Sequence, residues 1–250
     1  MAVRYERFEN VALITLDRPG SLNAMNEALT RELREAWQRF ESEDDAYVAV
    51  VTGAGRAFCA GMDMKEAAES LRTGQSMRMT PLPGAEEISK PAIAAVNGAC
   101  AGGGVSIMLS CDIAICSEDA LFVLPFVARG RSGVGVAARV ARRTSINTAL
   151  YMALTAARID AATALRFGLV HEVLPKEEVV PRALELAEKI AGHSQVAVRA
   201  MKQYLHALTA AEPDETGNIT AAEADLVASG DLLEGTIAFD EKRRPRYQQG

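Results

Sequence analysis

The segment "PAIAAVNGACAGGGVSIMLSCD", residues 91–112, decides how the rest of the sequence is interpreted. Its first part, "PAIAAV", is a short apolar run typical of a strand that is buried on both faces. The glycines that follow lead into an apolar run, and a helix is expected to start near Gly103. The first N–H groups of a helix have no internal partner and lie at the positive end of its dipole. Because Gly102 and Gly104 also lack side chains, an oxygen atom could reach these N–H groups.

Two other glycine-dependent sites can be excluded. A P-loop needs a lysine after its glycines to reach the phosphates, and residues 97–112 contain none. The "GVGVAA" run at 133–138 does not follow a strand and lacks the later acidic residue that a dinucleotide site uses. The earlier segment "VVTGAGRAFCAGMDMKE", residues 50–66, repeats the pattern of a strand, glycines and a short helix near Met62. The two turns together predict a pair of backbone donors for one oxygen atom.

Strand-like and helical patterns alternate along most of the chain, which indicates a mixed α/β fold with a mostly parallel sheet. "VALITLD" at 11–17 has the alternation of a half-buried strand. "NEALTRELREAWQRFESED" at 26–44 is an amphipathic helix. Helical patterns dominate after about residue 135, with a loop at 213–218 ("PDETGN") and a last helix that ends before Pro245. We therefore expect an α/β core at residues 1–192 and a helical region at 193–250.

Composition excludes several classes of protein. The 250 residues carry a formal net charge of −6 and no long basic run, which argues against nucleic-acid binding. No apolar stretch approaches the roughly 18 residues of a membrane span, and the N-terminus has no signal-like apolar core. Four cysteines without CxxC spacing and only three histidines make a metal site unexpected. The expectation is a cytoplasmic protein with buried thiols and neither a metal nor a membrane partner.

Five motifs, in order along the chain, resemble those of the crotonase (enoyl-CoA hydratase/isomerase) superfamily. They are the two glycine segments above together with "ITLDRPGSLNAMN" at 14–26, "TAARIDAATALRFGLVHEVLP" at 155–175 and "EGTIAFDEKRRPRY" at 234–247. The resemblance implies a spiral of ββα turns with a C-terminal helical trimerisation region. It also implies a homotrimer or a dimer of trimers. The ligand would be an acyl-CoA thioester, with coenzyme A present only as part of the substrate and no covalently bound cofactor.

Carried over by position, the resemblance places the two oxyanion-hole N–H groups on Met62 and Gly103. These groups would hold the thioester oxygen as it becomes enolate-like. The resemblance implies CoA contacts at Arg18, Ala24, Ala60, Met62, Asp63, Met64, Lys65, Gly103 and Lys242. Each of the cationic side chains could equally be a solvated surface charge. Asp63 opens a helical segment and is interpreted as a turn and cap residue.

The sequence departs from the family at the two positions where a hydratase carries its catalytic glutamates. These positions are occupied by Ser106 and Phe126. A serine without a basic partner is a poor proton acceptor, and phenylalanine transfers no proton. Nearby, Arg129 and Arg131 stand where apolar or small residues are usual, either as solvated loop charges or as partners for a carboxylate on the acyl group.

Three functions stay open at this stage. The first is an ordinary enoyl-CoA hydratase or isomerase that takes acid and base groups from elsewhere in the chain. The second is another reaction through an enolate on an anionic acyl-CoA, such as decarboxylation, with Arg131 orienting the substrate. The third is an acyl-CoA binder without catalysis.

Overall fold

Two β-sheets form the core of the chain in a computed structural model that describes residues 1–73, 88–210, 228 and 230–246. The strands are β1 Val3–Phe8, β2 Val11–Leu16, β3 Val48–Gly53, β4 Ala57–Cys59, β5 Ala92–Val96, β6 Ala99–Ala101, β7 Ile113–Ser117, β8 Leu121–Val123, β9 Ile159–Asp160 and β10 Glu172–Leu174. One sheet has six strands in the order β1-β2-β3-β5-β7-β10, and the second has four in the order β4-β6-β8-β9. Most neighbouring strands are parallel, as the α/β pattern predicts; β1–β2 and β8–β9 are antiparallel.

Helices cover these sheets and follow the predicted order. They are α1 Glu27–Ser42, α2 Met64–Arg72, α3 Gly103–Ser110, α4 Val134–Arg143, α5 Ile146–Thr155, α6 Ala161–Arg166, α7 Lys176–Ala191, α8 Gln195–Ala210 and α9 Asp231–Asp240. Short 3-10 turns lie at Pro19–Ser21 and Val127–Arg129. The last helix ends before Pro245 as expected, whereas the loop predicted at 213–218 lies outside the described residues.

Helix α1 shows how the pattern of apolar residues becomes packing. Asn26 caps it, because the side-chain oxygen accepts a hydrogen bond from the backbone N–H of Leu29 at 3.0 Å. The apolar face predicted from the spacing is buried at Leu29, Leu33, Trp37 and Phe40. This face packs into the larger hydrophobic core, which also holds the inner residues of β2, β3 and β5.

Strand β2 corrects one prediction. The alternation in "VALITL" predicted a half-buried strand, but all six residues of β2 are buried. The strand lies between β1 and β3 in the six-stranded sheet. Its two faces enter different cores: Ala12, Ile14 and Leu16 join the larger core. Val11 and Leu13 pack in a second cluster beneath α7.

A repeated strand–strand–helix unit positions the two glycine turns. In each unit a strand of the six-stranded sheet is followed by a strand of the four-stranded sheet and then by a helix: β3–β4–α2 and β5–β6–α3. Because β4 pairs in parallel with β6, the chain leaves both strands at the same edge of the sheet. The starts of α2 and α3 therefore lie side by side.

The four cysteines are buried and carry no disulfide. Burial raises the pKa of every thiol, to about 12 for Cys59, Cys111 and Cys116. This confirms the expectation of inert, buried thiols. In the parts of the chain that the structure describes, no helix is both long and apolar enough to cross a membrane. In the same parts, no three His, Cys, Asp or Glu side chains gather as a metal site.

Candidate active site

The two predicted glycine turns meet at the edge of the four-stranded sheet. Gly61 has a positive φ of 86°, and a Cβ built on it would lie 2.7 Å from the carbonyl oxygen of Ala101 and 3.3 Å from the backbone N of Gly103. The turn around Met62 is fixed by hydrogen bonds to Met25, from Met25 N to Gly61 O at 2.7 Å and from Asp63 N to Met25 O at 2.9 Å. Only glycine at position 61 allows this approach.

The start of α3 completes the arrangement. Gly102 precedes the helix with φ +50° and donates its N–H to Val123 O at 2.9 Å. A Cβ on Gly104 would overlap Cys59 O, so the helix start is pressed against β4. Among the described residues, none accepts a hydrogen bond from the backbone N–H of Met62 or of Gly103. The contact at Gly61 therefore brings together two turns whose backbone N–H groups at Met62 and Gly103 have no acceptor in the described part of the chain.

Three of the residues predicted to contact CoA are linked to one another. The Arg18 guanidinium donates to the carbonyl oxygen of Ala24 and forms an ion pair with Asp63 at 3.1 Å between Nη2 and Oδ2. The other Asp63 oxygen accepts from Lys65 N at 3.3 Å, which supports the cap role predicted for Asp63. Arg18 therefore links the turn at Ala24 to the turn at Asp63 and is not a freely solvated charge.

The remaining predicted contacts lie around the same turn or on the C-terminal helix. Ala60 donates its N–H to Leu22 O at 3.0 Å, while Met64 is buried and Lys65 is exposed on α2. Lys242 follows α9 with φ +55°. This helix packs against α2, and the ion pair between Arg72 and Asp240 joins the two at 2.5 Å. Lys242 therefore lies just after a helix that contacts α2, the helix that follows Met62.

Ser106 is buried in α3 and has a cationic partner that the sequence reasoning missed. The Nη1 atom of Arg139, on α4, donates to Ser106 Oγ at 3.0 Å. Residues 106 and 139 are brought together because α3 packs on α4. The sequence offers one weak signal, an arginine in the middle of the helix "VGVAARVARR". The position that the resemblance predicts for the first glutamate thus holds a hydroxyl that accepts a hydrogen bond from a guanidinium.

Phe126 lies beside the same turn. Its ring packs against the main core, and a Cβ on Gly102 would lie 3.6 Å from its Cζ atom. Gly133, with φ +58°, lies so close that a Cβ there would overlap the ring. The carbonyl oxygen of Phe126 accepts from Arg129 N at 2.8 Å and from Arg131 N at 3.0 Å, so a tight turn follows it. An apolar ring therefore lies at the position that the resemblance predicts for the second glutamate.

The Arg129 side chain points back towards the C-terminal helix. Its guanidinium lies 4.4 Å from the centre of the Phe239 ring, a cation–π contact. Burial lowers the pKa of Arg129. Arg129 is therefore half-buried against Phe239 and is not a fully solvated loop charge.

Comparisons with known proteins agree with this geometry. The enoyl-CoA hydratase/isomerase family model matches residues 6–250. The mevalonyl-coenzyme A hydratase sidH of Aspergillus fumigatus is 35% identical, covering 96% of this chain and 92% of its own length. The (E)-benzylidenesuccinyl-CoA hydratase of Thauera aromatica is 36% identical over 99% of both chains. The crystal structure of carnitinyl-CoA hydratase from Mycobacterium avium superposes with a TM-score of 0.88 at 36% identity, covering 99% of this chain and 98% of that one. The chain therefore belongs to the enoyl-CoA hydratase/isomerase family and has the crotonase fold.

Proposed function

We propose that this protein binds an acyl-CoA thioester and stabilises the negative charge that develops on the thioester oxygen with the N–H groups of Met62 and Gly103. The observation that carries the proposal is the contact between the two turns at Gly61, which brings these donors together. The relatives named above are all named for CoA thioesters, which supports the substrate class.

The chemistry needs donors that are in place before charge develops. When a bond at Cα breaks, its electron pair moves towards the carbonyl and the oxygen becomes an enolate oxygen. Donors fixed by a sheet edge and a helix start need no rearrangement at that moment, and each is worth roughly 100- to 1,000-fold in rate in other enzymes. The positive end of the α3 dipole acts in the same direction.

The proposed CoA surface uses the predicted residues in different ways. The Arg18 guanidinium is paired with the Asp63 carboxylate and donates a hydrogen bond to the carbonyl oxygen of Ala24. Its proposed role is therefore to hold the backbone at Ala24 in place. Lys65 is exposed and has no ion-pair partner among the described side chains. Lys65 and Lys242 are thus the cations proposed to attract the phosphates of CoA.

Acetoacetyl-CoA tests the oxyanion hole without assuming a reaction, because this β-keto thioester loses a proton from Cα and its enolate absorbs in the ultraviolet. We expect bound acetoacetyl-CoA to ionise at lower pH than the free compound, since the hole favours the charged form. Binding without any change in this ionisation would contradict the proposed role of Met62 and Gly103.

The Ser106–Arg139 hydrogen bond favours a second candidate, enolate chemistry on an anionic acyl-CoA such as decarboxylation of a malonyl-type thioester. In that reaction the bond between Cα and the carboxylate breaks, CO₂ leaves and the electron pair forms the enolate in the hole. A proton from solvent then adds to Cα. Arg139, and Arg131 as the sequence predicts, would supply positive charge for the carboxylate. A site with Ser106 and Phe126 in place of two carboxylates does not repel such a substrate.

Parallel assays separate the three functions. Hydration of crotonyl-CoA at a rate typical of hydratases, abolished by Ser106→Ala, would support an ordinary hydratase and contradict the second candidate. Release of CO₂ from methylmalonyl-CoA, lowered in a folded Arg139→Gln variant, would support the second candidate. Acyl-CoA binding without turnover of any thioester in a panel would identify a non-catalytic binder.

Assembly and location belong to the same proposal. Large apolar side chains are exposed on two helices in the second half of the chain, which supports a homotrimer or a dimer of trimers. They are Ile146, Leu150, Tyr151 and Leu154 on α5, and Val196, Met201, Tyr204 and Leu205 on α8. Light scattering of the purified protein would give the number of chains. A cytoplasmic location stays a prediction from the sequence.

A further inference from the structure

A cavity of 350 Å³ lies between β8, the 3-10 turn at Val127–Arg129 and α9. Its wall combines apolar and cationic side chains, among them Pro125, Arg129, Arg158, Phe239 and Arg243. The volume falls within the range of small-molecule sites, and the mixture of apolar surface with a few convergent charges is typical of them.

The three arginines in the cavity wall differ in whether a carboxylate neutralises them. Arg243 is held by two carboxylates, with 2.6 Å to Glu234 and 2.7 Å to Glu241. Arg129 lies over the Phe239 ring, and neither it nor Arg158 has a carboxylate within ion-pair distance among the described residues. Arg129 is half-buried, and burial without an anion removes part of the hydration of its guanidinium without replacing it. Arg158 is exposed, so its charge is solvated and can turn to an anion in the cavity.

The cavity adjoins the proposed oxyanion hole. Pro125 belongs to its wall, and a Cβ on Gly102 would lie 3.7 Å from the Cδ atom of Pro125. Gly102 immediately precedes Gly103, the proposed donor. A group bonded to the thioester carbonyl is thus close to this wall, whereas the phosphates of CoA are separated from the carbonyl by the whole pantetheine arm.

From this geometry we infer that the cavity binds a carboxylate at the far end of the acyl group, through Arg129 and Arg158. The inference rests on the proposed function and names its substrate class: CoA thioesters of dicarboxylic acids. Arginine suits the task because its planar guanidinium donates two parallel hydrogen bonds to a carboxylate. The ring of Phe239 holds the Arg129 guanidinium in place before the ligand arrives.

Paired ligands that differ only at the acyl end test the inference. Dissociation constants are measured by calorimetry for succinyl-, glutaryl- and adipoyl-CoA, each against butanoyl-, pentanoyl- or hexanoyl-CoA of the same chain length. These saturated thioesters lack the double bond that hydration needs. We expect at least one dicarboxylic ligand to bind roughly 10- to 100-fold more tightly than its partner, as a charge-assisted hydrogen bond would give.

Variants identify the residues responsible. Arg129→Gln and Arg158→Gln should each abolish most of this preference while leaving the affinity for the monocarboxylic ligand unchanged. Arg166→Gln is the matched control, because Arg166 is exposed on α6 outside the cavity wall. Melting temperatures of all variants check folding.

Each outcome bears on a defined claim. Equal affinity within every pair would overturn the inference and leave the proposed function standing. Loss of affinity for free CoA in Arg129→Gln would overturn it in favour of a phosphate site. Failure of every thioester to bind would instead refute the proposed function itself.

Discussion

Replacing Gly61 by alanine should disable one oxyanion donor while leaving the fold in place. The new Cβ would start 2.7 Å from Ala101 O and must retreat to ordinary contact at 3.4 Å, a displacement of about 0.7 Å. The positive φ adds about 1–2 kcal/mol of strain. A displacement of that size stretches a hydrogen bond of about 2.9 Å beyond its useful range. One charge-assisted hydrogen bond is worth about 1.5–3 kcal/mol, which corresponds to about one to two pKa units.

The measurement is the ionisation of acetoacetyl-CoA bound to excess protein, followed by enolate absorbance against pH. The hole favours the charged form and lowers this pKa, so Gly61→Ala should raise it again by about one to two units. Gly20→Ala is the matched control, because no heavy atom lies within 4 Å of a Cβ at that exposed position. A folded Gly61→Ala protein that binds acetoacetyl-CoA with an unchanged enolate pKa would refute the assignment of Met62 and Gly103.

Two further predictions concern stability. Gly104→Ala should lower the free energy of unfolding by about 1–3 kcal/mol in urea titrations, because its Cβ overlaps Cys59 O. Gly135→Ala, on an open helix surface, should be neutral or stabilising; equal effects of the two changes would count against the packing argument. Burial alone would raise the pKa of Glu43, but hydrogen bonds from Tyr5 and two arginines outweigh it and lower the pKa to about 2. The ionised Glu43 carboxylate thus contributes to the free energy of unfolding above pH 4.5, and this contribution is lost as the pH falls towards 2. The melting temperatures of Glu43→Gln and wild type should therefore converge over that interval. A difference in melting temperature that stays constant across that pH range would contradict the lowered pKa of Glu43.

The features that the sequence predicts well are local. The apolar face of α1 follows from the spacing of residues within one helix. The turn at Gly102 follows from consecutive glycines after a buried strand. The repeated strand–strand–helix unit then brings the turns at Met62 and Gly103 together without further information. For these features spacing along the chain determines proximity in space.

The features that the sequence missed depend on contacts between distant segments. Arg139 reaches Ser106 because α4 packs on α3, and neither residue alone indicates the other. The cation–π contact of Arg129 with Phe239 joins residues from two distant segments. The alternation along β2 predicts one solvent-facing side, whereas α7, from a distant part of the chain, covers that side.

The contact between Phe126 and Gly133 has a consequence for how sites of this kind can be interconverted. Gly133 has no room for a Cβ while the ring is present. Phe126→Glu alone would remove the ring that this glycine accommodates and place a carboxylate against the core; Ser106→Glu alone would add bulk where Arg139 already bonds the serine. Positions 126 and 133 are therefore coupled: a side chain at 133 can be accommodated only after the ring at 126 has been replaced by a smaller group. Substitutions at these two positions should be non-additive, because the ring at 126 determines which residues 133 can carry.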